Sequence, residues 1–433
     1  MSVIVGLDGG YQSDDIRWFT IDVSDPSGAT VVNTLYTGWN QSGGDQYFAW
    51  DGIAATQNAG RANRWLSAIA TENDDWTVPA PHRLELYLVD DAGVVVDSLF
   101  VLETGFFADK MPYAAKVFRW GSDNFVMVWA YDDATGTDAA FGVVVSTAGD
   151  VITTGDVTLI TANIHAAWHF ADASETEGGA LVTTRNETAV VSKLVRTGLN
   201  FSVNATTTIS IGSGYTNGIA FHGDDTYVVA YELNGAQHHV AAVVPGTGVI
   251  SSAHTGHTGG SQRVSHSSGD YYGDHVMKHV GGYVSISYNG FNTFATTFQF
   301  DGSAITISST LTAPPPSQNI SGSLRTVKLA TGWLTAYFDR YIWFSDDFGS
   351  VIAQGSFDYI ERTFFYLSAQ LPDAFGKCPP HLRLLQRTDV AKGRFEHVPV
   401  TDDCGKALRL MGRDVQQNLI PGNLPRTQPN SYP

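Results

Sequence analysis

Along nearly the whole chain a Gly/Asp turn, an alternating apolar strand, a polar gap and a second alternating strand recur in the same order, without repeating their letters. The clearest copies begin at Phe125 (FVMVWAY), Ala180 (ALVTTRN), Tyr227 (YVVAYEL), Tyr283 (YVSISYN) and Trp333 (WLTAYFD). Trp65 (WLSAIAT) begins another upstream, and Ser2 (SVIVGLD) opens the chain. Residues two apart share one face of a pleated strand, whereas a helix needs apolar spacings of three or four, which persist almost nowhere here.

Successive starts lie roughly 45 to 65 residues apart, the size range of a four-stranded propeller blade. The chain therefore reads as all-β: a seven-bladed β-propeller of antiparallel four-stranded blades over residues 1–370, followed by an irregular C-terminal extension over 371–433. In the fifth unit GIAFHGDD, TYVVAYELNG, QHHVAAVVPGTG and VISSAHTGH supply the four strands in order, and the sixth follows with DHVMKHVGG, YVSISYNG, NTFATTFQFDG and SAITISSTL. The turns DDAG, STAGD, PGTG, FDGS and SDDFG fall between third and fourth strands, where Gly admits the positive φ of tight hairpins. The first unit opens directly on a second-strand pattern. The apolar stretch ERTFFYLSAQ (Glu361 to Gln370) is expected to return as its inner strand and close the ring, pairing an open edge. The other reading of Thr363 to Gln370 is a short helix leading into the tail.

Composition narrows the partners. Of 433 residues, 43% are hydrophobic and 16% charged, enough apolar material for one large ring. No apolar run approaches a membrane span, and MSVIVGLDGG lacks the basic and apolar regions of a secretory signal. A net charge of −18 argues against nucleic acid and anionic membranes as partners. The extension is more basic than the ring, with Arg383, Arg387, Arg394, Arg409 and Arg413, and ends in a Pro-, Asn- and Gln-rich stretch. Both cysteines, Cys378 and Cys404, fall there. They read either as a disulfide, worth roughly 3 kcal/mol by loop entropy, or as two buried thiols; a metal site would also need His381 or His397.

Several constellations bear on chemistry. Histidines cluster in the fifth and sixth units, and His254, His257, His275 and His279 are the candidate metal ligands: the first two are spaced like loop ligands, and the last two flank Met277 on one strand face. The alternative is surface or intersubunit hydrogen bonding. The Asp-bearing turns Tyr131 to Asp138 and Leu7 to Asp15 lack the register and distal Glu of a calcium loop. Glycoside hydrolysis needs two carboxylates across a sugar, for which Glu72, Glu103, Glu187 and Glu232, or Asp224 with Asp274, are the candidates. Trp39, Trp50, Trp76, Tyr271 and Tyr272 fall in expected loops, where flat rings can stack on sugars or pack between blades. No nucleophile elbow or phosphate loop is present, and no catalytic residue or cofactor is assigned.

The hairpin WFSDDFGSVI (Trp343 to Ile352) resembles the Asp-box of sialidase-like, BNR-repeat propellers, matching at Ser345, Asp347 and Gly349 but carrying Ile352 at the closing aromatic position. Asp-boxes are structural, so this resemblance implies fold and not activity. In architecture and composition the chain resembles the propeller domains of tailed-phage and virus virion proteins: tails, fibres and head decorations. That resemblance implies a non-enzymatic structural protein of the virion, made in the host cytoplasm without a signal peptide. Its propeller would meet subunits or host-surface glycans in attachment, and its arm would anchor it to other virion subunits or a homo-oligomer. The alternative is a carbohydrate-binding or carbohydrate-active propeller.

Overall fold

The structure is a computed structural model that describes residues 2–7, 17–22, 30–36, 46–48, 54–57, 64–73, 82–90, 94–104, 111–121, 123–132, 138–164, 169–174, 178–185, 187–214, 216–234, 237–258, 276–288, 292–313, 324–329, 331–337, 340–356 and 365–369. The chain divides into two units, Met1–Leu371 and Pro372–Pro433, and the second lies outside the described residues, as do Cys378 and Cys404.

Every described sheet is antiparallel. The first contains β1 (Ser2–Leu7), β2 (Arg17–Asp22) and β3 (Thr30–Tyr36), with the distant strand Phe365–Ala369 paired on the other side of β1. In the second, β4 (Gln46–Phe48) and β5 (Ala54–Gln57) both pair with β6 (Arg64–Asn73), followed by β7 (His82–Asp90) and β8 (Val95–Thr104). The third runs β9 (Met111–Arg119), β10 (Asn124–Asp132) and β11 (Asp138–Ser146), its outer place shared by β12 (Thr153–Thr154) and β13 (Thr158–Ile164). The fourth is β14 (His169–Ser174), β15 (Gly178–Arg185), β16 (Thr188–Thr197) and β17 (Asn200–Ser210). The fifth is β18 (Thr216–Gly223), β19 (Thr226–Leu233), β20 (Gln237–Val244) and β21 (Gly248–Thr258). The sixth is β22 (Val276–His279), β23 (Gly282–Tyr288), β24 (Thr293–Phe300) and β25 (Ile305–Ala313). The last is β26 (Leu324–Leu329), β27 (Gly332–Tyr337), β28 (Arg340–Phe344) and β29 (Val351–Ser356), and the strand Phe365–Ala369 is β30.

The strand order expected for the fifth and sixth units is the one observed, and ERTFFYLSAQ supplies a strand on β1 rather than a helix. The expectation of seven four-stranded blades is corrected in two respects. Six sheets are blades folded from one continuous segment each; the sheet of β1 to β3 is completed only by β30, because the first unit brings no inner strand of its own. Two sheets carry five strands, not four. In the third sheet the outer place is divided beyond Gly155, which donates to the Val144 carbonyl and where a Cβ would lie 1.7 Å from the carbonyl oxygen of Leu199, so only glycine fits this approach to the fourth sheet.

Innermost strands follow one another: β26 lies against β30, β30 against β5, β5 against β9, and onward through β14 and β18 to β22. Cores form between neighbouring sheets. One packs Leu84, Leu86 and Leu88 against Phe125, Met127 and Trp129, and another packs Val229 and Tyr231 against Val182 and Val191. An aromatic recurs at the start of the second strand as Trp65, Phe125, Tyr227, Tyr283 and Trp333, all buried. This is the residue behind the sequence cadence.

Antiparallel alternation gives each continuous sheet two distinct ends. At the turn end lie the hairpins between first and second and between third and fourth strands. At the connection end lie the hairpins between second and third strands and the crossings to the next sheet. The turn-end hairpin Gly223 to Thr226 places Asp224 and Asp225 at φ 50° and 60°, the geometry of a two-residue hairpin turn.

Candidate functional site

At the connection end of the fifth sheet, three neighbouring strands align Tyr231, His239 and His254 in register. Alternation turns this row toward the fourth sheet, as Tyr231 packs in the core shared with Val182 and Val191. Tyr231 and His239 stack at 5.6 Å and 19°, and His239 meets His254 edge to face at 5.1 Å. Burial raises the Tyr231 hydroxyl above its ordinary pKa. Burial, with a smaller contribution from the neighbouring His254, lowers that of His239, so the imidazole is held neutral.

The register explains His254. Between the pairs Gln237↔Thr258 and His239↔His254 the outer strand carries extra residues. Gly256, at φ 89°, turns its N–H back onto His254 Nδ1 at 3.1 Å. Nδ1 is therefore an acceptor, and the neutral ring carries its proton on Nε2. That Nε2 is buried and has no hydrogen-bond partner among the described residues. On the other face, Glu232 Oε1 lies 3.9 Å from His238 Nε2, both side chains largely buried. The set holds a buried donor with no acceptor among the described residues, beside an imidazole held neutral.

The other expected site residues are scattered. His279 sits on the sixth sheet at the turn end, away from His254 at the connection end of the fifth. Its Nε2 donates to the Tyr283 carbonyl at 3.2 Å, and its Nδ1 accepts the Gly281 N–H at 3.2 Å. With both nitrogens engaged, and Nε2 of His254 protonated, neither ring presents the lone pair a metal requires. His257 lies in β21 rather than a loop, its side chain outside the described residues, and His275 lies outside them altogether. Among the described residues no group of three or more His, Cys, Asp or Glu is gathered to hold a metal. Trp39, Trp50, Trp76, Tyr271, Tyr272 and Asp274 lie outside the described residues, as do the side chains of Glu72 and Glu103. Glu187 and Asp224 are exposed in turns, while Glu232 is buried.

Sequence reasoning passed over Glu85, 2% exposed on β7, which accepts a hydrogen bond from the Tyr87 hydroxyl beside the buried Ser67. It alternates with Leu84 and Leu86 and so reads as a solvent-facing position; a carboxylate in a β-branched or aliphatic strand is the available signal.

The hairpin matched to the Asp-box forms a closed turn. Ser345 Oγ donates to Asp347 Oδ1 at 2.6 Å, Gly349 N–H to the same oxygen at 2.9 Å, and Ser350 N–H to Ser345 Oγ at 3.0 Å. The Ser345 hydroxyl, then the Gly349 amide, hold Asp347 below the usual carboxylate range. The left-handed residue is Phe348 (φ 57°), not Gly349, and Phe348 rather than position 352 buries an aromatic, packing on Trp333, Phe344 and His279. The neighbouring turn repeats the device: Asp301 Oδ1 accepts the Ser303 and Ala304 amides and the Ser303 hydroxyl.

With this geometry in view, comparison with solved structures decides the architecture. A functionally unknown protein from Desulfotomaculum acetoxidans superimposes with a TM-score of 0.53 at 11% identity, covering 85% of this chain and 99% of its own. The chain is a β-propeller. A Lactobacillus plantarum protein aligns over 85% of this chain and 99% of itself at 11% identity and TM-score 0.46. The SapL1 lectin, solved with alpha methyl fucoside, aligns over 71% and 96% at 11% identity and TM-score 0.38. At such identities likeness shows the fold alone. No family profile matches the propeller's sequence, and no curated protein matches it. Among the described residues no helix is long and apolar enough to cross a membrane.

Proposed function

We propose that the chain is a non-enzymatic structural protein of a larger assembly, of the kind found in tailed-virus particles. In this reading the sheet closed by β30 counts as the seventh blade, the propeller displays contact surfaces, and residues 371–433 dock the copy to other subunits. One observation carries it: residues 1–371 hold 16 Lys and Arg against 37 Asp and Glu, while 372–433 hold nine against six. An acidic propeller followed by a basic, Pro-rich segment suits a displayed body with an electrostatically steered anchor. The test is light scattering on the full chain and on a chain ending at Gln370, at low and high salt. Assembly of the full chain alone, weakened by salt, supports the reading; identical monomers overturn it.

A second reading, carbohydrate recognition at the connection end, rests on His254 Nε2, a buried donor with no acceptor among the described residues, which a ligand hydroxyl or ring oxygen would reach only if the strands part around it. Glycan-array binding abolished by His254→Phe would support it. An unchanged or empty array would remove it.

A further inference from the structure

Apolar exposure is confined to particular places on the propeller. Val94, Val95, Val151, Val249, Ile250 and Ile352 are each between 39% and 56% exposed, and all lie just past the hairpin between third and fourth strands, in four different sheets. Val280, 89% exposed, belongs to a hairpin at the same turn end. The remaining large exposed hydrophobics, Val157 and Leu159, lie at the outer edge of the third sheet; among the described residues none is at the connection end.

At two of these places, Ile250 and Ile352, the exposure is built into the register. In β21 the pairs Ala242↔Ser251 and Val243↔Val249 leave Ile250 unpaired, and in β29 the pairs Trp343↔Ala353 and Phe344↔Val351 leave Ile352 unpaired. A bulge breaks the two-residue alternation, so successive apolar residues cannot all turn inward. The sequence places Val or Ile there repeatedly (GVVV, DVIT, GVIS, SVIA) although the core has no use for the outward one. The set recurs at the same position in four sheets and so faces one end of the propeller.

Its electrostatics indicate the partner. The same end carries Asp224, Asp301 and Asp347 as exposed carboxylates. Three of its cations are paired, Arg64 with Asp150, Lys193 with Asp225 and Lys328 with Asp346, while Lys278 reaches the His222 carbonyl and Arg196 lies over Trp120. A second copy docked turn end to turn end would bring like charges together. We propose that the turn end of the propeller is a docking surface for a cationic amphipathic polypeptide segment, aliphatic side chains seating on the Val/Ile rim and Lys or Arg reaching the turn carboxylates. This deepens the assembly reading by naming the surface through which the propeller itself is held.

The test uses the full chain and a fluorescent Leu/Lys amphipathic peptide, followed by anisotropy, with Leu/Glu and Lys/Ser peptides of the same pattern as controls. The Leu/Lys peptide is expected to bind, weakened about tenfold or more by the combined V249S, I250S and I352S changes. Asp301→Asn with Asp347→Asn, and added salt, are expected to weaken it further. Absence of binding, equal binding of either control peptide, or indifference to the serine changes overturns the proposal. So does self-association of the wild type that the serine changes abolish, which would make the partner a second copy. Unchanged thermal unfolding shows the variant is folded; V249S alone serves if the triple variant is not. Truncation after Gln370 probes the extension while these variants leave it intact, so either reading can fail alone.

Discussion

His279 and His254 sit at opposite ends of neighbouring sheets and make the same local bond, each accepting at Nδ1 the amide of the glycine two residues on. They differ at Nε2. At the turn end the ring is closed by the Tyr283 carbonyl and seated edge-on against Phe348 of the next blade, so His279 is a strut between sheets. At the connection end the Nε2 of His254 has no such acceptor among the described residues, and its ring leans on another imidazole. Among the described residues the turn end presents apolar side chains outward, whereas at the connection end a buried donor, His254 Nε2, has no acceptor. Recognition can thus be built at either end by different physics: desolvation at one, hydrogen bonding at the other.

The largest expected effect tests the strut. Phe348→Ala removes the aromatic shared by Trp333, Phe344 and His279 and should cost about 3 to 5 kcal/mol, seen as a lower midpoint in chemical denaturation. A loss below about 1 kcal/mol would mean the turn end repacks without its plug.

The two histidines should then separate. His279→Phe is expected to lose about 1 kcal/mol by removing the ring's hydrogen bonds to the Gly281 amide and the Tyr283 carbonyl. His254→Phe should stay within about 0.5 kcal/mol of wild type, since it also removes an unsatisfied donor. The reverse order in thermal melts would dissolve the distinction.

Acid should act through the same rings. His222, His239 and His279 all have folded pKa values lowered chiefly by burial, so the unfolded chain binds more protons below its histidine pKa of about 6.5. Their contribution is complete above that value and is lost as pH falls through it. Asp301 and Asp347, lowered by turn hydrogen bonds, contribute stability that disappears only as pH falls below about 4. Denaturation at about pH 7.5 and 5.5 should show a smaller loss in His239→Phe than in wild type; an equal loss would remove His239 from the linkage.

The smallest effect is expected at Lys193, whose ammonium pairs with the half-exposed Asp225 of the next blade. Lys193→Ala should cost no more than about 1 kcal/mol, and less in high salt. A larger salt-insensitive loss would show that turn-end charges hold the blades together instead of shaping their surface.

Much of the fold is legible in the sequence because alternation and turn chemistry are local. YVVAYEL and YVSISYN declare their strands without help from the rest of the chain, and the missing inner strand of the first unit implies a partner such as β30. The site is far less legible. Glu85 occupies the polar position of an alternating strand, and only the packed neighbouring sheet removes it from water. His254 and His257 look like a spaced pair of ligands until extra residues in β21 turn Gly256 back onto one ring and fix its proton.

Strand identity and order in the regular units, such as the fifth and sixth, and the opposed charges of residues 1–371 and 372–433 follow from the sequence alone, since each depends on residues near one another in the chain or on simple counting. Which polar groups are buried, which tautomer His254 adopts and which Val and Ile face outward were decided only by tertiary structure. Those properties depend on register across strands and on the sheet packed opposite, and a shift of one residue in either reverses them.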